Sequence, residues 1–259
     1  MPLEPDFDEL LTLTAELGYR LQVSGAETYR VEESMRRIFQ AYGAENGEVF
    51  AIPNCIVVSL ITPAGQPETR IRRIPPHGTD IERLEAYNDM CRVICAHTPP
   101  MDQAWGLLGR IEDGCRDFGQ GMIQLAGYLG GSWAFSLFFG GTWMDGICGG
   151  LCGLAIGLCL LFMTNMGSNL FFRTLAASAV SALLALGLAW AGLALRPESV
   201  IIGALMTLVP GTIITSAMRD IMAGDLIAGI SRAAEALLVG TAIAMGTGFA
   251  LVLAGRIGG

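Results

Sequence analysis

The sequence of 259 residues contains no lysine and only two histidines, and its second half has few charged residues of any kind. All 16 basic residues are arginines, and 24 aspartates and glutamates outnumber them, which gives a net charge of −8. Proteins that bind nucleic acids need a basic surface to contact phosphates, so this balance excludes that class. Disorder is excluded as well, because 52% of the residues are hydrophobic and disordered chains have low hydrophobicity.

The charges that are present lie mostly in the first half of the chain. Residues 1–122 contain 11 basic and 19 acidic residues, whereas residues 123–259 contain five of each. The second half has five uncharged stretches of at least 20 residues, and a helix of about 20 apolar residues can cross a bilayer. We therefore predict an α-helical membrane protein with five transmembrane helices, at about residues 123–141, 144–164, 174–195, 199–218 and 232–254.

The first half is predicted to form a small α+β domain with the element order ααββαα. Apolar residues recur at helical spacing in 7–23 and 26–42, and Ser24 followed by Glu27 predicts a capping box for the second helix. Residues rich in β-formers predict a strand within 48–61, with an interruption at Pro53, and a pairing strand over 68–74. Two further helices are predicted over 80–96 and about 101–116. The predicted domains are thus residues 1–122 and residues 123–259.

The N-terminus lacks the features of a secretory signal, because five acidic residues precede the first arginine, Arg20. We therefore expect a protein of the plasma (inner) membrane whose N-terminal domain stays in the cytosol, and five crossings would leave the C-terminus outside. The loop arginines agree weakly with this orientation: Arg173, Arg219 and Arg232 would lie inside, and Arg196 and Arg256 outside.

The fourth predicted span contains a helix-breaking pair, Pro210 and Gly211. Proline cannot donate a backbone N–H, so a break or kink is expected there. Hydroxyl groups surround the break, from Thr207, Thr212, Thr215 and Ser216. The positive N-terminal end of a broken transmembrane helix suits a carboxylate, which makes these residues candidates for substrate binding. The alternative is an ordinary packed span whose threonines bond the freed carbonyls.

Charged residues follow this span directly. Arg219 is a further candidate for substrate binding, and Asp220, Asp225 and Glu235 are candidates for carrying a coupled proton. The alternative is that they are solvated groups at the membrane surface, with Arg232 paired to Glu235 three residues later.

Three glycines of the second predicted span, Gly149, Gly153 and Gly157, are spaced four residues apart. This spacing predicts close helix packing. We prefer that interpretation to a metal or redox role for the neighbouring Cys148 and Cys152, which lack further ligands.

The residues of catalytic and metal sites are scarce. His77 and His97 have no nucleophile or acidic partner at a recognisable spacing, and Cys91, Cys95 and His97 lack a fourth ligand. We therefore expect no metal, no cofactor and no enzymatic activity.

The seven cysteines are odd in number, which fits a reducing compartment. The arginines of 70–73 could bind an anion or form the exposed face of an edge strand.

Five segments together resemble the threonine/serine exporter family. They are Ser24–Glu32, Arg72–Gly78 with Asn88, Gly203–Met206, Val209–Gly211 and Arg219–Asp225. The resemblance implies a cytosolic domain followed by five helices, in secondary transporters that export small polar metabolites. It also implies that this chain is the larger subunit of a split exporter, which would need a second small multi-helix membrane subunit and could form an oligomer. Split members are associated with dicarboxylate (succinate) export. Thr207 replaces an expected proline and Ser216 an expected asparagine, so both substrate classes stay open.

The sequence therefore predicts a subunit of a secondary transporter that exports threonine and serine or dicarboxylates, coupled to protons. Two alternatives belong to other classes. One is a non-transporting scaffold or sensor whose acidic domain binds a partner. The other is a membrane-bound hydrolase, which would need a nucleophile and a base.

Overall fold

The computed structural model describes residues 6–44, 46–62, 65–75, 78–114 and 120–257. These residues form ten helices and one three-stranded sheet. The chain divides into two compact units, of which the first comprises residues 1–116 with 215–232 and the second residues 117–214 with 233–259. The segment 215–232 thus belongs with the N-terminal residues, although apolar helices flank it in sequence.

The first unit begins with helices α1 (Phe7–Val23) and α2 (Thr28–Ala41). Their apolar stripes are buried, with Leu17 of α1 and Ile38 of α2 completely enclosed. Gly25 separates the helices with a φ of +92°, a conformation that suits glycine. The predicted capping box is wrong, because the N-cap of α2 is Glu27 rather than Ser24, and the Glu27 side chain makes no capping hydrogen bond.

An antiparallel sheet follows, with the strand order β1 (Glu48–Ile52), β2 (Cys55–Ile61) and β3 (Pro67–Arg73). The prediction of two strands is wrong, because Pro53 and Asn54 form a two-residue turn and Ile52 pairs with Cys55 across it. A proline is tolerated in such a turn, where no ladder N–H is needed. The sheet packs one face on the helices, so that Val58 is completely buried.

Helices α3 (Ile81–His97) and α4 (Met101–Gly114) lie close to the predicted ranges. The arginines of β3 pair with acidic residues of α1: Nη2 of Arg72 lies 2.8 Å from Oε2 of Glu16, and Arg70 pairs with Asp8. These ion pairs support the edge-strand interpretation of the arginine cluster. His77, which follows it in sequence, lies outside the described residues.

Six further helices are apolar: α5 (Gln120–Phe138), α6 (Trp143–Asn165), α7 (Leu170–Trp190), α8 (Pro197–Met206), α9 (Gly211–Ala223) and α10 (Leu226–Ile257). Of the helices in the described residues, α6, α7 and α10 are long and apolar enough to cross a membrane, and α8 with α9 qualifies as one bent span. Helix α5 lies near the first predicted span, but it is not among the helices that qualify. The described residues therefore provide three spans, or four with the bent pair, and the count of five stays a prediction.

Helix α6 packs against α5 through its glycines, as their spacing predicts. A methyl group on Gly153 would overlap the carbonyl oxygen of Tyr128, and one on Gly157 would lie 2.8 Å from the side chain of Leu125. Such short distances leave no room for a side chain, so the glycines allow the two backbones to approach closely.

Asp145 is completely buried at one end of the second unit. Its side chain bonds both the loop before α6 and the loop before α8. Its Oδ2 accepts hydrogen bonds from the backbone and the hydroxyl of Thr142, at 2.8 and 2.7 Å, which caps the start of α6. Its Oδ1 accepts the backbone N–H groups of Leu195 and Arg196, at 2.7 and 3.0 Å. The start of α6 is thereby tied to the loop between α7 and α8.

Candidate functional site

The break expected in the fourth predicted span is present in the structure. Helix α8 ends at Met206, α9 begins at Gly211, and the two helices are bent by 49°. Because Pro210 has no N–H, it cannot bond the carbonyl of Met206, which accepts the N–H of Val209 at 3.4 Å instead. The proline therefore replaces a helical turn with a tighter one and redirects the chain.

Hydroxyl groups lie on both sides of this break. Thr207 donates its hydroxyl to a backbone carbonyl of its own helix at 2.7 Å. On α9, Thr212 and Thr215 are exposed and Ser216 is half-buried. Together with the exposed Arg219 they occupy one face, because residues three, four and seven apart lie on the same side of a helix. Contact with lipid is unfavourable for such a polar face. The face is better suited to contact with water, a polar solute or another protein chain.

Helices α9 and α10 meet in a tight reversal, residues 219–232, which we call the α9–α10 corner. Gly224 ends α9 with a φ of +97°, and the N–H of Asp225 bonds the carbonyl of Asp220 at 2.9 Å. This is the Schellman arrangement, in which a left-handed glycine satisfies the last carbonyls of a helix. The carbonyl of Asp225 then accepts the N–H of Gly229 at 2.9 Å, so Asp225 also starts α10.

The corner contains an enclosed ion pair. Asp220 is completely buried, and its Oδ2 lies 3.3 Å from Nε of Arg232, whose side chain is 12% exposed. A buried carboxylate requires such compensation for its charge. The expectations for these residues are therefore corrected: Asp220 is not a solvated surface group, and Arg232 pairs with it rather than with Glu235, which is exposed on α10.

Glu27, at the start of α2, is a second buried carboxylate in this cluster. Its Oε2 lies 2.7 Å from Nε of Arg30, and its Oε1 pairs with Nη1 of Arg219. The carboxylate is enclosed, with 11% of the Glu27 side chain exposed, whereas the side chains of Arg30 and Arg219 are 58% and 62% exposed. A hydrogen bond to the Tyr29 hydroxyl and the charge of Glu27 raise the pKa of Arg30, which keeps its guanidinium charged.

The residues on either side of Glu27 also contact the corner. Nη2 of Arg232 donates to the carbonyl of Ala26 at 3.3 Å. The carboxylate of Asp220 lies beside the backbone N–H of Thr28, at the positive end of α2. Ala26, just before α2, and Thr28, its first residue, therefore compensate both charges of the buried pair.

The residues predicted from sequence belong to different units. Thr215, Ser216, Arg219, Asp220 and Asp225 are in the first unit, and Thr207, Pro210, Gly211, Thr212 and Glu235 are in the second. The sequence reasoning gave Glu27 only a capping role and gave Arg30 none. Glu27 and Arg219 are 192 residues apart, so no local spacing rule could have paired them, although both lie in segments that carried the family resemblance.

Comparison with known families decides the class of the protein. The sequence model of one family, described as "putative threonine/serine exporter", matches residues 12–254, which is nearly the whole chain. The chain belongs to the threonine/serine exporter family. Neither the curated proteins nor the solved structures gave a match. Family membership and the apolar helices together indicate that this chain is a multi-pass membrane protein of the transporter class.

Four of the five segments that resemble the family have defined positions in the chain. Residues 24–32 and 219–225 meet in the first unit through Glu27 and Arg219. Residues 203–211 surround the break, and their first member, Gly203, packs closely on α5, where a methyl group would lie 2.6 Å from Cα of Ser136.

Proposed function

We propose that this exporter is a subunit of a secondary transporter that moves small carboxylate metabolites out of the cell. Its substrates would be threonine and serine, or dicarboxylates such as succinate. The observation that carries the proposal is the 49° break between α8 and α9 within an apolar span, with threonine hydroxyls on both sides of it. Broken helices at mid-membrane are where many secondary transporters bind their substrates.

The substrate carboxylate is proposed to bind at the N-terminal end of α9. That end has a partial positive charge, about half an elementary charge, from the aligned peptide dipoles. The hydroxyls of Thr212 and Thr215 are neutral groups close to it in sequence, and the hydroxyl of Thr207 would turn from the carbonyl of Ala204 to the anion when the anion binds. Because none of these groups has a full charge, the anion can be bound and then released. Arg219 lies about two turns further along the same helix face and would attract the anion from the cytosol.

Proton coupling and orientation complete the proposal. Asp220 on α9, Asp225 between the two helices and Glu235 on α10 are the acidic residues of this segment, and one of them would carry the proton. Asp225 is half-buried whereas Asp220 is fully buried, so Asp225→Asn tests the role with less risk to folding. If Asp225 is the carrier, this variant should export at a rate that no longer depends on the proton gradient.

In the proposed orientation, the N-terminal residues lie in the cytosol and the C-terminus outside the plasma membrane.

A second membrane subunit is also part of the proposal. Substrates of secondary transporters commonly lie between two structural repeats, and the described residues provide only one set of three or four spans. The exposed polar face of α9 supports the need for a further set of helices. Purification from native membranes should therefore yield a complex with a second small multi-helix chain. Full transport by a monomer of this chain alone would contradict this part of the proposal.

The broken span is tested by Pro210→Ala. This substitution supplies the missing N–H and favours a continuous helix, so efflux of threonine or succinate should fall at least tenfold at matched membrane levels. Pro197→Ala is the control, because Pro197 occupies the first turn of α8, where its missing N–H leaves no helical bond unmade. Equal rates in both variants would contradict the site assignment.

The hydroxyl groups are tested by Thr212→Val, which preserves the side-chain shape and removes the donor. Efflux should fall several-fold through a higher half-saturating substrate concentration. Thr241→Val is the matched control, because Thr241 lies on α10 and donates its hydroxyl to a carbonyl of its own helix. A wild-type concentration dependence in the Thr212 variant would remove this residue from the site.

A further inference from the structure

Arg219 has an acidic partner that could itself take the place of a substrate carboxylate. Glu27 pairs with Arg219 through Oε1 and with Arg30 through Oε2, and its side chain is enclosed. The guanidinium of Arg219 is mostly exposed, with 62% of its side chain accessible. A guanidinium has five N–H donors, so an anion arriving from solution can reach Arg219 while Glu27 occupies part of it.

Two neighbouring ion pairs differ in how easily they can exchange partners. Asp220 and Arg232 are both enclosed, so separating them would leave a buried charge without compensation. Glu27 is enclosed too, but it retains Arg30 when Arg219 leaves. The pair between Glu27 and Arg219 can therefore open without exposing an uncompensated buried carboxylate, whereas the pair between Asp220 and Arg232 stays closed.

We infer that Glu27 is a tethered competitor for Arg219, which the exported carboxylate displaces when it arrives from the cytosol. The inference rests on the proposed function, because it takes Arg219 as the residue that first attracts the substrate carboxylate from the cytosol, before the carboxylate reaches the N-terminal end of α9. In the substrate-free protein, Glu27 positions Arg219 and neutralises it. When the substrate binds, Glu27 stays paired with Arg30. Glu27 thus sets the concentration at which export becomes half-saturated.

The test uses inverted membrane vesicles from native cells, in which the proposed second subunit is also present, compared with vesicles from a strain that lacks the gene for this chain. Uptake of radiolabelled L-threonine, and separately of succinate, is measured over a range of concentrations. Glu27→Gln removes the competing charge, so the half-saturating concentration should fall about two- to fivefold, the upper part of the range for ion pairs that solvent reaches, as it reaches Arg219 here. The maximal rate per chain should stay unchanged.

A matched control lies on the same helix. Glu33 pairs with Arg37 one turn later, and both side chains are more than half exposed. Glu33→Gln therefore removes the same charge from α2 without touching Arg219, and it should change neither the half-saturating concentration nor the maximal rate.

Arg30→Gln provides a second, opposite test. Without Arg30, Glu27 depends on Arg219 alone and competes more strongly, so the half-saturating concentration should rise by a similar factor. The side chain of Arg30 is 58% exposed, so this variant is expected to fold. It therefore tests the competition between Glu27 and the substrate even if Glu27→Gln does not reach the membrane.

The outcomes separate this inference from the proposed function. If wild-type vesicles take up neither substrate above background, the proposed function fails and the inference fails with it. If they take up substrate and Arg219→Gln impairs uptake, but Glu27→Gln leaves the half-saturating concentration unchanged or raises it, only the inference is overturned. A lower half-saturating concentration in Glu27→Gln together with a higher one in Arg30→Gln supports the inference. A purely structural role of Glu27 would change the amount of folded protein instead.

Discussion

Buried charges in the α9–α10 corner depend on each other for their stability. Asp220 is fully enclosed and Arg232 nearly so. Removing one member of such a pair leaves the other charged in a poorly solvated environment, which typically destabilises a protein by about 3–5 kcal/mol.

The first prediction therefore concerns Asp220→Ala. The free energy of unfolding of the first unit should fall by about 3–5 kcal/mol, measured by hydrogen exchange at the slowest amides of α2 and α3. Asp89→Ala is the control, because Asp89 pairs with Arg92 while both side chains are more than half exposed, and such pairs contribute about 0–1 kcal/mol. A loss in Asp220→Ala as small as that in the control would show that the pair is not needed for stability.

A second prediction at this scale concerns the thiol of Cys91. Burial raises the pKa of Cys91 to about 12, so below that pH the thiol stays protonated. At pH 8 the reactive thiolate is therefore strongly disfavoured. Iodoacetamide should therefore modify the half-buried Cys55 long before Cys91 in the folded protein, as measured by mass spectrometry. In denaturant the two rates should become similar, and early labelling of Cys91 in the folded protein would contradict the burial.

Helix packing in the second unit depends on individual glycines. Gly153→Ala should destabilise the exporter by about 1–3 kcal/mol, because the added methyl group overlaps the backbone of α5. Gly240→Ala is the matched control on α10, where nothing lies within 4 Å of the added group, and it should be neutral or slightly stabilising. Thermal unfolding in detergent measures both. Equal midpoints would show that α5 and α6 tolerate a wider separation.

Local rules predicted the helices well and the strands less well. The apolar stripes of α1 and α2 and the break at Pro210 follow from side-chain spacing and from the chemistry of proline. The two-residue turn at Pro53 was missed, because a proline within an apolar run indicates an interruption without showing that the chain reverses there. Helix α7 starts at Leu170 rather than 174, because Asn169 caps it by accepting the N–H of Phe172 and Arg173 is accommodated in its first turn.

At the scale of the whole molecule, the first unit contains residues from two distant parts of the sequence. Residues 215–232 complete it by compensating the charges at the start of α2. A fragment of residues 1–116 should therefore show faster hydrogen exchange in the first turn of α2 than the full-length chain, while exchange in α3 changes little. Identical exchange in the fragment and the full-length chain would mean that residues 215–232 do not stabilise this turn.

Because the first unit joins distant parts of the sequence, only the local features of the candidate site could be predicted from sequence. The hydroxyls and the break were found because they lie within one span. The partners of Arg219 and Arg232 were not found, because Glu27 and Asp220 approach them only through the fold. Sequence reasoning paired Arg232 with Glu235, a residue at the favourable helical spacing, whereas burial decides the partner in the structure.

Asp145 has a mechanical consequence for the second unit. Its four hydrogen bonds fix the start of α8 to the start of α6, so that this end acts as a fulcrum. Helix α8 has ten residues and is a lever arm of about 15 Å. A rotation of about 10° around the fulcrum would move its far end, Met206, by about 2.6 Å, whereas Arg196 would hardly move. Any tilt of α8 around the fulcrum would therefore be largest at the broken turn, Thr207–Pro210, and the close packing of Gly203 on α5 limits that tilt.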